Sequence, residues 1–170
     1  MPVDIFAADE QSACVVDVSC WVELAQKVLE AQGIRGDVEV SLLFVDETAI
    51  AELNSRFLGR EGPTDVLAFP IDEDPGRPGR FPDEGGSGPG AVIDNDEDEM
   101  PLLLGDVVVC PAVATRNARE HGVGLEDELA LLVVHGLLHL CGMDHVENPE
   151  AERMERREQE LLGRFYRTAP

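Results

Sequence analysis

Positive charge is scarce in this sequence. Thirteen lysine and arginine residues face thirty-five aspartate and glutamate residues, a formal net charge of −22, and Lys27 is the only lysine. A field of that sign repels phosphate on average, which excludes a protein that coats nucleic acid through a general basic surface and leaves room only for a small local cationic patch. Long apolar runs are also missing. No stretch approaches the roughly 18 uninterrupted apolar residues that span a membrane, so no membrane partner is expected. Met1-Pro2-Val3-Asp4 brings no cationic segment followed by an apolar run, so no secretory leader is expected either. The four cysteines, Cys14, Cys20, Cys110 and Cys141, show no disulfide or CxxC spacing, which fits reduced thiols in a cytoplasmic protein.

What is present suffices for a globular core. The chain has 170 residues, 44% of them hydrophobic, which predicts a single domain over residues 1–170, interrupted by a flexible insert. A helix starts near Asp17 or Ser19, carries Trp21, Leu24, Val28 and Leu29 on one face, and stops at Gly33. Residues 38–45 read as a strand. Asp46 caps a short helix with Ile50, Leu53 and Phe57 on one face, and Gly59 ends it. A turn at Gly62-Pro63-Thr64-Asp65 leads into a second strand over 66–71. Residues 72–100, rich in glycine, proline and acids, bury too little apolar area to order themselves and read as a mobile acidic loop.

Residues 104–110 form the next strand. Pro111 opens a helix that Gly122 closes, residues 125–140 form a helix buried on most sides, and a last helix runs from Asn148 toward Leu162 with a solvated face of paired Glu and Arg. Three strands and about five helices make an α+β fold, a small mixed sheet packed with helices.

Three of the four histidines fall within His135-Gly136-Leu137-Leu138-His139-Leu140-Cys141-Gly142-Met143-Asp144-His145. At this histidine content, a given histidine has others at both +4 and +10 with a probability of only ~0.0006. His135 and His139 stand one helical turn apart, with Cβ atoms about 5–6 Å apart, close enough to share an ion. Gly142 permits the positive φ that ends the helix, and the turn can swing His145 back as a third nitrogen. Three imidazoles with one open position describe a catalytic zinc site, one Zn2+ per chain. Core histidines held by ordinary hydrogen bonds are the other reading, which the desolvation of three imidazoles on one surface disfavours. His121 reads as a helix-end residue and Cys141 as a small buried filler.

The spacing HxxxHxxGxxH is similar to that of zincin metalloproteases, HExxHxxGxxH, where the glutamate deprotonates water. Gly136 takes that place here and cannot move a proton, which disfavours a peptide or amide hydrolase. Hydrolysis can still proceed through the metal, which lowers the pKa of bound water to about 7 and suits a phosphodiester substrate.

The sequence resembles the YbeY family of bacterial endoribonucleases. Three segments carry the resemblance: residues 62–70 (GPTDVLAFP), residues 104–110 (LGDVVVC) and the histidine segment 135–145. The resemblance spans about residues 36–71 and 102–162. It implies His135, His139 and His145 as zinc ligands on a zincin-like helix followed by a glycine turn. The implied activity is metal-dependent cleavage of single-stranded RNA in the maturation of small-subunit ribosomal RNA and in ribosome quality control. A small-subunit ribosomal protein and the GTPase Era are the implied partners.

The sequence departs from the family in two places. Many members carry an arginine before the glycine that precedes the PTDV turn, where Leu58 stands here, so Arg56 or Arg60 becomes the candidate to grip phosphate. Relatives are also often shorter at 72–100. Asp144 is a candidate to orient a histidine or assist a proton transfer, with capping of the turn as its other reading, and Asp65 reads as fixing its own turn. Against the ribonuclease stand the peptide hydrolase and a non-enzymatic, zinc-stabilised ribosome assembly factor.

Overall fold

The computed structural model describes residues 3–34, 38–70, 102–142 and 148–166. The expected acidic loop at 72–100, Asp144 and His145 lie outside the described residues. In chain order the elements are β1 (Asp4–Asp9), α1 (Val18–Ala31), β2 (Val38–Phe44), α2 (Glu47–Leu58), β3 (Val66–Pro70), β4 (Leu102–Val109), α3 (Pro111–His121), α4 (Leu125–Leu140) and α5 (Asn148–Phe165). The sheet order is β1-β2-β4-β3, with β1, β2 and β4 parallel and β3 antiparallel to β4. This is the α+β fold with a small mixed sheet that the sequence predicts, with one more strand than expected.

Alternation along the strands divides the apolar residues between two faces. Val40, Leu42, Phe44, Val107 and Val109 join the main core, packed with α1, α4 and α5. Leu67 and Val108 turn the other way and form a smaller cluster with Val45, Ile50 and Cys110. In α1, Trp21, Leu24, Ala25, Val28 and Leu29 are buried, the face that its periodicity marks. The Asp46 carboxylate accepts a hydrogen bond from the Ala49 N–H at 2.8 Å and so caps α2. Arg116 clamps α3 to the start of α2 with two hydrogen bonds to Glu47, at 2.7 and 3.2 Å. That guanidinium holds the Glu47 carboxyl below its usual range.

Helix α4 is buried over ten of its sixteen residues. At Gly136 it lies so close to the sheet that an added Cβ would sit 2.6 Å from Cγ1 of Val107 and 3.4 Å from Cγ2 of Val66. No side chain fits there. The missing glutamate of the zincin pattern thus has a packing reason, since β4 occupies the space. The contact also fixes the rotation of α4, which turns His135 and His139 away from Val107 and into a cleft.

The unexpected strand is β1. Its residues are all exposed or half-buried, and it is held by parallel pairing to β2 from Asp4↔Glu39 to Asp9↔Phe44.

Replacing Gly136 by alanine is expected to cost about 1–3 kcal/mol, because the stiff Val107 side chain cannot step aside. Thermal denaturation should show a fall of about 2–4 °C for each kcal/mol; an unchanged midpoint would mean that α4 can back away from the sheet.

Candidate metal centre

His135 and His139 project from α4 into a cleft of about 500 Å³, walled by the end of α2, residues 60–68, the end of α3, and α5. Their Nε2 atoms are 3.2 Å apart, with ring centroids at 4.7 Å and planes crossing at 77°. Nδ1 of His135 is hydrogen-bonded to Oε2 of Glu158 on α5. An ionised carboxylate only accepts, so Nδ1 carries the hydrogen and Nε2 presents its lone pair to the cleft. Glu158 is only 7% exposed. It sits on the buried stripe of α5 between Met154 and Leu161, apart from the solvated face that carries Glu152, Glu155 and Arg156.

The donor chemistry fits a divalent ion. A separation of 3.2 Å is close to the edge of a tetrahedron whose nitrogen ligands lie about 2.0–2.1 Å from its centre. A carboxylate behind the ligating imidazole is the usual device for fixing tautomer and ring orientation at such centres. Among the described residues no group of three His, Cys, Asp or Glu side chains is placed to hold an ion. Gly142 has φ +96° and breaks the helix as the motif predicts. Cys141 packs against the main core, and burial pushes its thiol up to about 12, so it stands as an uncharged filler.

The far end of the cleft holds a second imidazole–carboxylate pair. Nδ1 of His121, the last residue of α3, lies 3.0 Å from Oε1 of Glu128 on α4. The His121 side chain is 56% exposed and that of Glu128 only 3%. Both line the cleft, as does Asp65. Oδ1 of Asp65 accepts from the N–H of Val66 at 2.7 Å, and Oδ2 accepts from Nδ2 of Asn117 at 3.0 Å. These bonds fix the turn as its sequence suggests. Buried Asn54 donates from Nδ2 to the Gly62 carbonyl at 3.0 Å, steadying the segment that carries Arg60.

Of the two candidate arginines, Arg60 lines the cleft, whereas Arg56 lies over the Phe57 ring, 5.7 Å from its centroid. The structure therefore brings together His135, His139, Asp65 and Arg60, and places Arg56 apart from them. Glu158 and Glu128 are additions that the sequence reading lacks, and His121, read there only as a helix end, joins them. A signal for the acids existed: Glu158 is four residues after Met154 and three before Leu161, and Glu128 is seven before His135, each on the inward face of its helix.

Residues 6–166 match the family model described as Endoribonuclease YbeY. The Endoribonuclease YbeY of Acidothermus cellulolyticus is 43% identical over 152 residues, covering 89% of this chain and 85% of that one. The Beutenbergia cavernae protein of the same name is 43% identical over 155 residues, covering 91% and 93%. A solution structure of a Thermotoga maritima protein aligns with a TM-score of 0.52 and 28% identity over 95% of this chain and 90% of that one.

Replacing Glu158 by glutamine keeps the shape but removes the charge behind His135. Divalent-ion affinity, measured by competition with a chromophoric chelator, is expected to fall about 10–100-fold. Affinity within two-fold of the unaltered protein would show that this carboxylate does not tune the imidazole.

Proposed function

The chain belongs to the Endoribonuclease YbeY family, and from that premise we propose that it is a metal-dependent endoribonuclease that cleaves single-stranded RNA. The observation that carries the reading is the imidazole pair, two Nε2 atoms 3.2 Å apart at the floor of an open cleft. His135, His139 and His145 would hold the ion, with zinc the preferred metal for an all-imidazole set. When bound, such an ion supplies Lewis-acid chemistry, drawing electron density from a phosphoryl oxygen and acidifying water.

The chain's own groups do the rest. Glu158 holds the His135 ring so that its lone pair faces the cleft. Arg60 can present a guanidinium to the RNA backbone, taking the place of the family arginine that Leu58 lacks. Asp144 is proposed to orient a ligand histidine or assist a proton transfer. Arg56 would have to leave Phe57 to serve the same strand. The substrate proposed is a precursor of small-subunit ribosomal RNA, handled by a single catalytic domain in the cytoplasm, with a small-subunit ribosomal protein and Era as partners. No described helix is long and apolar enough to cross a membrane. The peptide-hydrolase alternative is weakened by the crowding at Gly136, and the family favours an enzyme over a passive assembly factor.

His139→Ala is expected to lose stoichiometric metal and to lower cleavage of a single-stranded RNA by at least ~100-fold, with chelator doing the same to the unaltered protein. Metal analysis beside a gel cleavage assay checks both. Chelator-insensitive cleavage retained by this variant would overturn the reading.

A further inference from the structure

Among the described residues, three carboxylates line this cleft, and each is already engaged. Asp65 is held by Asn117 and the Val66 N–H, Glu158 by His135, and Glu128 by His121. Each of these acids thus has at least one oxygen held by a protein donor. The His121–Glu128 pair repeats the arrangement at His135–Glu158, a ring with Nδ1 on a nearly buried carboxylate, but with a more exposed ring. With Nδ1–H committed to Glu128, Nε2 donates to an anionic ligand only when the ring takes up a second proton on binding, as an imidazolium between two anions. Its position as the last residue of α3 adds the negative end of that helix, which favours a cation.

Position decides what such a cation can do. Glu128 precedes His135 by seven residues on α4, about 10 Å along the helix axis. That is too far to serve the same phosphate as the imidazole pair, and within reach of a neighbouring linkage in the same strand. We infer that His121, held by Glu128, is a subsite for RNA that binds a backbone phosphate flanking the one cleaved. It is a positioning residue, and the inference rests on the ribonuclease reading above.

The test uses the full chain loaded with zinc and a labelled single-stranded RNA, together with copies of that RNA carrying one uncharged methylphosphonate linkage at successive positions. For the unaltered protein, one linkage beside the cleaved one should raise KM roughly ten-fold when made uncharged, with kcat held, as expected for one charge-assisted hydrogen bond. His121→Gln should raise KM on the all-phosphate RNA by the same factor and show no further loss at that linkage. His121→Arg, which restores a permanent cation, should return KM to within about three-fold of the unaltered protein. The inference falls if His121→Gln lowers kcat with KM held, if the two penalties multiply, or if no flanking linkage is sensitive in the unaltered protein. If the zinc-loaded protein cleaves no single-stranded RNA, the ribonuclease reading itself fails and takes the subsite with it.

Discussion

The site depends on how closely α4 lies against the sheet. With a Cβ at position 136 falling 2.6 Å from Val107, only glycine lets the helix settle there, and that contact sets which way every other side chain of α4 points. The flanks of the contact, Leu137 and Leu138, go into the core. The remaining face, Glu128, Leu132, His135 and His139, is left to line the cleft. The helix that carries both imidazoles is therefore aligned by a contact in which no polar atom takes part. Interiors packed to this density respond to an added methyl group as a unit, so the placement of the imidazoles is as rigid as the core beneath them.

Charge is handled by pairing. A protein with a net charge of −22 is a poor general host for RNA, yet among the described residues the acids that line the cleft each have a donor of their own. Glu158 and Glu128 are both nearly buried, where an unpaired carboxylate is costly, and both lean on a histidine ring. The same bonds that make these acids tolerable fix Nδ1 of two rings that line the cleft.

Much of this was legible in the sequence. Local signals mark the helix ends: Asp46 caps α2, Pro111 opens α3, and the spacing of His135 and His139 places both on one face of α4. The resemblance at residues 62–70, 104–110 and 135–145 extends that reading to the family. What stayed hidden depends on contacts between distant segments. Strand β1 has no fully buried residue, so its Asp and Ala content looks like loop until β2 lies beside it. Glu158 and Glu128 read as ordinary surface acids unless the inward stripe of each helix is drawn first. His121 reads as a helix end, but its partner lies seven residues on, in another helix. Gly136 reads as a missing base, and only the approach of β4 shows why nothing larger is there.

The place of β3 in the sheet bears on how this protein tolerates change in length. β3 and β4 are antiparallel neighbours, with Pro70 set against Gly105 and Val66 against Val109. The chain that leaves one returns to the other at the same edge. Closing such a connection costs free energy only logarithmically in its length, and its two anchor points are fixed by hydrogen bonds that do not involve it. Residues can thus be gained or lost between these strands while the imidazoles on α4, anchored from the far side of the sheet contact, keep their places. Length at this join is thus uncoupled from the placement of the imidazoles.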